Sequence, residues 1–549
     1  MPVSASSSLP VVHSAVHTLD EVEDLMPPRK RRRTDEPDTL IVKLPHSLGS
    51  TPEPLEYLIG SLPKDRGLES LDDIVGGLPK DPFSQKIAAT LRDGGFLSYM
   101  EFQKSSERQA VFGAKFLDQP HLTRYCPWTK DMPRDNVSAH AQDIVLADVI
   151  ATANKLKGNF QNLHLNRHVV GADATTLLTA EVLRSMRKPL RQAPAVLMNI
   201  PSPRLHTLYA TPSIFAAEKG VLRRTEVTVN IGPYLSFVDL HHDDAHGTQT
   251  LTSGRKLWLF FPPTETNLSA LRKAYQTSFY GAEGASRDTK AQRFLARISG
   301  KYPTDDTPGR ANKDSPTLSN GIAIIQTANT NMWIPPFCPH AVFTLQSSVL
   351  VGREFYLPRT LPLRIEQVEL FGAYGKCVSE TGPAQFDWVV ELVEHIAAVL
   401  RLPMKKKKKR LPLTTKKVMK RKRNDNQTGT HESANSSVSV PSSFSESGSV
   451  QSMHWELEAT FLAWSSQYES IGTLIQNISS MPGVEKEHRQ KMSKAVTTVW
   501  REFLRCPEVQ AWKTCPACGI DFGKRSGREH LWKEHLVPCH SQEGWKTWR

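Results

Sequence analysis

Residues 236–263 read S-F-V-D-L-His241-His242-Asp243-Asp244-A-H-G-T-Q-T-L-T-S-Gly254-Arg255-Lys256-L-W-L-F-F-P-P, and residues 333–345 read W-I-P-P-F-C-Pro339-His340-A-V-F-T-L. Both segments set imidazoles or carboxylates beside apolar, β-branched runs. Residues i and i+2 of a strand project to the same side, so His241 and Asp243 can reach one ion while His242 points away. The register His242 with Asp244 satisfies the same geometry, and spacing alone does not choose. Two imidazoles and one carboxylate take one face of an octahedron and leave three positions open, the donor set of non-haem Fe(II) oxygenases. A lone His-x-Asp triplet is usually a solvated turn, so its weight comes from the text around it.

Working outward, short apolar runs recur between about 224 and 356: TEVTVNI, LSFVDL, KLWLFF, GIAIIQ, NMWIPP, AVFTL and SVLVGREFY. Gly, Pro, Asn and Asp separate most of them, the pattern of an antiparallel β domain. A polar insert at about 264–320, with helical character in LSALRKAYQ and TKAQRFLARI, interrupts the series. QFDWVVELVEHIAAVL (385–400) reads as an amphipathic helix packing on the sheet. Upstream, the run AQDIVLADVIATANKL that begins at 141 has helical spacing. The hexapeptides GSLPKD at 60–65 and GGLPKD at 76–81 read as a turn used twice, too few copies for a repeat architecture.

The division expected is a disordered basic region 1–50, a mixed region 51–200, a β core 201–360 and packing helices 361–402. A basic, Ser-rich linker 403–451, a helical region 452–512 and a small metal module 513–540 follow. With 549 residues the chain has room for several domains, and its 38 prolines and 39% hydrophobic content point to long polar stretches. No apolar run approaches the roughly 18 residues of a membrane span, and the amino terminus does not read as a secretory signal. Of seven cysteines, Cys506, Cys515, Cys518 and Cys539 fall at the carboxyl end, which suggests metal in a reducing compartment rather than a disulfide framework.

The text around the triplet resembles the JmjC family of Fe(II)- and 2-oxoglutarate-dependent dioxygenases over about 200–360. The family's three motifs appear in order as His241-His242-Asp243, G-R-K-L-W-L-F-F-P-P and P-P-F-C-P-H-A-V. The resemblance implies a mainly β core folded as a double-stranded β-helix (a cupin-like jelly roll) with flanking helices. It implies iron ligands His241, Asp243 and His340, with Lys256 pairing with the distal carboxylate of 2-oxoglutarate and Arg353 a weaker candidate for that anion. An ammonium pointing into a barrel is costly unless it meets an anion. Related proteins often carry a hydroxyl three residues before the first histidine. Here that position is Val238, and Ser236 and Thr250 are possible substitutes, neither in register. The implied activity is oxidation of a protein side chain, either demethylation of a histone lysine or a stable hydroxylation. The competing reading is a non-catalytic chromatin or nucleic-acid-binding protein built on the same scaffold.

Near the end, Cys515, Cys518, His530 and His535 fit C-x2-C-x11-H-x4-H, with Phe522 where a small ββα finger sets its core aromatic. Such thiolate and imidazole pairs bind Zn2+, and a module this small needs metal to fold. The run resembles two-cysteine, two-histidine zinc fingers. Its central spacer is one residue short, Arg528 stands where a leucine is expected, and Cys539 and His540 are alternative ligands. The formal charge of +13 equals the 13 basic residues of 401–423, a stretch with no acidic residue. With Arg29, Lys30, Arg31, Arg32 and Arg33, this run reads as a nuclear-import signal that can also hold DNA without sequence preference.

Overall fold

The L-W-L-F-F run is apolar at every position because both faces of its strand are buried. Leu257, Leu259 and Phe261 enter one apolar cluster, while Trp258 and Phe260 enter another. In the computed structural model of the chain, this run forms the end of one of two strands on which the sheet is built. The structure describes residues 69–123, 128, 137–155, 161–162, 167–168, 182–183, 186, 196–210, 222–276, 317–377, 382–399, 449–480, 486–523 and 527–536. The Arg29–Arg33 cluster, the hexapeptide at 60–65, the TKAQRFLARI run, the basic run 401–423, most of the Ser-rich linker, Cys539 and His540 lie outside the described residues.

The strands are β1 (Leu97–Ser98), β2 (His121–Thr123), β3 (Gln161–Asn162), β4 (Arg167–His168), β5 (Leu197–Pro201) and β6 (Arg223–Arg224). They continue with β7 (Thr228–Gly232), β8 (Phe237–His241), β9 (His246–Phe260), β10 (Ile322–Thr327), β11 (Thr330–Ile334) and β12 (His340–Tyr356). Ten of them join one sheet, and β3 and β4 pair separately. The architecture is a β-rich core with flanking helices, as expected.

β9 and β12 pair antiparallel from His340 opposite Phe260 to Phe355 opposite His246. Each changes partners midway. The second half of β9 pairs with β10 and its first half with β11. The first half of β12 pairs with β8 and its second half with β7. The fold-over lies at Gly254, whose φ is +85°, opposite register shifts between Thr344 and Val349. AVFTL and SVLVGREFY are therefore one bent strand, not two. Between the halves lie Trp258, Phe260, Ile324 and Val342 from one and Leu251, Met332, Ile334 and Leu350 from the other.

Helices cover the outer faces. The helix Pro82–Asp93 and the helix Glu265–Gln276 pack Phe83, Ile87, Leu271 and Tyr275 against Leu257, Leu259 and Phe343. The helix Val137–Lys155 brings Ala141, Val145 and Val149 onto Val229, Ile231 and Val351. The hexapeptide at 76–81 is a helix-to-helix connection: Gly77 caps Leu71–Gly76, and Asp81 accepts from the Phe83 and Ser84 amides to start the next helix. Leu361–Glu366 and Gly382–Val399 share an apolar cluster with Ser449–Ser466, Lys486–Phe503 and the carboxyl-terminal Cys/His segment. No helix among the described residues is long and apolar enough to cross a membrane.

A Cβ on Gly254 would overlap the Ser347 carbonyl oxygen and lie 2.7 Å from Ser348 Cβ. Gly254→Ala should lower the free energy of denaturant unfolding by at least about 1–2 kcal/mol, the cost of a left-handed non-glycine backbone alone. The neighbouring Ser253→Ala should stay within about 0.5 kcal/mol of the parent.

Candidate metal centres

β8 ends on His241 and β12 begins on His340, and the two residues are register partners. Their rings lie 4.1 Å apart, and one ligand atom from each of His241, Asp243 and His340 falls within 4.8 Å of the others. The His340 Nε2 is 3.8 Å from Asp243 Oδ2. Carbonyl oxygens fix both tautomers, because a carbonyl only accepts. His241 Nδ1 donates to Asp239 O at 2.7 Å and His340 Nδ1 to Cys338 O at 2.9 Å. Each imidazole thus keeps its Nε2 lone pair for a metal. Burial, and then the neighbouring His241 ring, hold His340 well below the ordinary imidazole range, so it stands neutral as a ligand must. The Phe337 amide grips the Asp243 carbonyl at 2.7 Å, clamping one motif to the other.

The register His242 with Asp244 is not assembled. His242 is buried, donates or accepts at Tyr275 Oη across 2.9 Å, and stacks on Phe337. Burial pushes its pKa down to about 4. Asp244 accepts from Arg364 Nη2 at 2.7 Å and Nε at 3.2 Å, from Trp388 Nε1 at 3.1 Å and from Tyr356 Oη at 3.1 Å. Burial alone would raise its carboxyl, but the Arg364 charge and these donors hold it below the usual carboxylate value.

Lys256 lies four residues from Phe260, the partner of His340, and strand alternation puts both on the inner face. It is 2% exposed, and burial lowers its pKa to about 8. Its Nζ donates to Thr344 Oγ1 at 3.2 Å, and Ser236 Oγ donates to the same oxygen at 2.9 Å. All three polar atoms converge on Gly232, where a Cβ would stand 2.8 Å from Thr344 Oγ1, 3.1 Å from Ser236 Oγ and 3.2 Å from Nζ. The result is a buried ammonium beside two hydroxyls, packed so closely on Gly232 that a side chain there would crowd all three. Ser236, two residues before Val238, and Thr344 opposite it thus set two hydroxyls beside Lys256. Thr344 was legible from its even spacing to His340 but was overlooked.

Two sequence candidates fall elsewhere. Thr250 bonds Asn331 Oδ1 and faces Tyr209, on the outer side of the sheet. Arg353 is buried on that side too, donating to Thr225 O and Tyr209 O at 3.0 Å and meeting the His206 ring. Its odd offset from Leu350, an inner residue, turns it away from Lys256.

The second cluster gathers Cys515, Cys518, His530 and His535, again with ligand atoms within 4.8 Å of one another. Cys518 Sγ and His530 Nε2 are 3.2 Å apart, near the roughly 3.5 Å edge of a tetrahedral Zn site. Cys515 opens a tight turn closed by Gly519, whose φ is +72°. The Ala517 and Cys518 amides point at its sulfur. His535 Nδ1 bonds Ser465 Oγ at 2.6 Å, and its Nε2 is buried without a partner, as a metal-facing nitrogen would be.

The x4 spacing is served by a π-turn, Trp532–Leu536, after the short helix Gly527–Leu531. Five residues overshoot one α-helical turn by about 140°. A wider i→i+5 turn returns His535 to the side of His530. The module is not the free-standing ββα finger that its spacing suggested. Cys515, Leu531, Trp532 and Leu536 are built into one core with Phe461, Trp464 and Trp500.

Compared with known proteins, the chain matches no family model and no curated protein.

Full-length protein should carry one zinc per chain by elemental analysis. Cys518→Ser should lose it and lower the melting temperature by several degrees, because the Cys/His turn closes a shared core. Lys256→Met, which removes a buried ammonium whose one acceptor among the described residues is the Thr344 hydroxyl, should raise the stability of the ligand-free protein by about 1–3 kcal/mol in denaturant titration.

Proposed function

We propose that this chain is an Fe(II)- and 2-oxoglutarate-dependent dioxygenase that oxidises a protein side chain, its core a double-stranded β-helix of the JmjC type. The observation that carries the reading is the shared inner face of His340 and Lys256. One presents a neutral Nε2 to Asp243, and the other offers a buried cation that bonds only a hydroxyl among the described residues. Two imidazoles and a carboxylate are the facial donor set of non-haem iron. A buried ammonium beside the Ser236 and Thr344 hydroxyls suits a dicarboxylate's distal end.

When bound, Fe(II), O2 and 2-oxoglutarate supply the oxidation of a C–H bond, with succinate and CO2 as co-products. The chain's own residues do the rest. His241, Asp243 and His340 would hold the metal, and the Asp239 and Cys338 carbonyls keep the imidazole protons on Nδ1. Lys256 would neutralise the distal carboxylate while Thr344 and Ser236 orient it. Trp258, Phe260 and Val342 form an apolar wall around these groups that excludes water.

The nuclear address and contact with DNA rest on the basic runs of the sequence, and contact with histone tails rests on the JmjC resemblance. A methylated histone lysine is the substrate to try first.

Anaerobically loaded with Fe(II), the protein should convert 2-oxoglutarate to succinate on admission of air, and His241→Ala should abolish the turnover. Failure of the core to take up metal would contradict the proposal. Mass spectrometry of candidate peptides then separates loss of a methyl group from gain of an oxygen.

Cosubstrate affinity should also depend on pH. The Lys256 pKa of about 8 in the free protein rises when an anion binds. The ammonium is therefore already in place below pH 8. Above it, the Kd measured by thermal shift should weaken by up to tenfold per pH unit. A flat profile from pH 7 to 9 would separate Lys256 from the anion.

A further inference from the structure

We infer that Asp244 is a positioning residue for the proposed triad, and that the zinc-bearing helical layer sets the triad's metal affinity through Arg364 and Trp388. The inference rests on reading His241, Asp243 and His340 as a metal site.

Asp244 directly follows the ligand Asp243, and its carboxylate gathers four donors: Arg364 Nη2 and Nε, Trp388 Nε1 and Tyr356 Oη. Arg364 is 1% exposed, lies 4.4 Å over the Tyr356 ring, and also reaches Glu391 at 3.3 Å and the His395 ring. A carboxylate held by a buried guanidinium and an indole fixes its own backbone. That backbone is the turn from which Asp243 projects. The same turn is held at Asp243 by the Phe337 amide, from the loop before β12, and at His242 by Tyr275 of the helix Glu265–Gln276. Asp244 ties it to the helices Leu361–Glu366 and Gly382–Val399.

Those helices do not end at the core. Leu361 and Ile365 flank Arg364, and Val389 and Leu392 follow Trp388, in one apolar cluster with Phe461, Trp464, Trp500, Trp532, Leu536 and the zinc-side Cys515. Packed cores shift as units, so a change at the zinc turn is felt at Arg364. A metal ligand freed from its anchor must be ordered again on binding, which weakens affinity; lost outer partners commonly cost 10–100-fold.

The test titrates Mn(II) into full-length, zinc-loaded protein well below its unfolding temperature, with free Mn(II) read by electron paramagnetic resonance. Mn(II) favours oxygen and imidazole donors over thiolates. Arg364→Gln should weaken Mn(II) binding by 10–100-fold with one zinc retained, and Arg364→Lys should recover part of the loss. Zinc-free Cys518→Ser should weaken it as well.

A merely structural Arg364 would lower the melting temperature and leave Mn(II) affinity unchanged in the folded protein, which overturns the positioning role. Should Arg364→Gln fail to fold, Trp388→Phe, which removes one N–H donor, decides by the same readout, with at least a threefold weakening expected. Parent-like Mn(II) binding in zinc-free, folded Cys518→Ser overturns the link to the helical layer. Mn(II) binding that survives His340→Ala would instead remove the metal-site reading itself.

Discussion

The antiparallel pairing of β9 with β12 over their whole length is the constraint on which the rest depends. Two strands this long cannot stay flat, and at Gly254 the pair folds over, so each half recruits its own neighbours. The fold-over gives the sheet an inside. It also decides what lies there, because alternation carries His340, Thr344 and Lys256 to the inner face together. His340 enters as the first residue of β12, directly opposite His241, the last residue of β8. A slip of one residue in that register would turn His340 outward and dissolve the cluster.

Adjacent acidic residues divide the labour. Asp243 and Asp244 are identical in chemistry, but one faces the imidazoles and the other a guanidinium, an indole and a phenol. The choice between the two registers is made by these surroundings. Asp244 has its charge compensated and its lone pairs occupied, whereas Asp243 has 22% of its side chain exposed beside two Nε2 lone pairs. The helical layer that satisfies Asp244 also houses the Cys/His cluster, so the two candidate metal centres stand at opposite ends of one continuous set of contacts.

The strands with dense apolar text were legible in the sequence, because KLWLFF and GIAIIQ are buried on both faces. The first half of β9, H-G-T-Q-T-L-T-S, was not read as a strand: its threonines bond Tyr209, Asn331 and the Arg353 and Val349 carbonyls on a polar outer side. The grouping of His241, Asp243 and His340 was legible because motif order carries it. The cradle around Lys256 was only half legible, since it depends on Thr344 lying opposite Ser236, a cross-strand fact no linear spacing encodes. Arg353 was named from its place on the last strand of the core, but its odd offset from Thr344 and Leu350 turns it to the outer side, where it bonds the Thr225 and Tyr209 carbonyls. The Cys/His cluster was legible as a set of donors but not as architecture. Packing against the Trp464 and Trp500 helices is a long-range matter.

The central claim, that the fold-over of β9 and β12 builds an iron site at the meeting of β8 and β12, is tested most directly by anomalous diffraction. Crystals of full-length protein, grown anaerobically with Fe(II), would be measured at the iron edge. The account predicts one iron peak bounded by His241 Nε2, His340 Nε2 and an Asp243 carboxylate oxygen, with Asp244 still on Arg364. An iron peak elsewhere, or none at these three side chains, would contradict it.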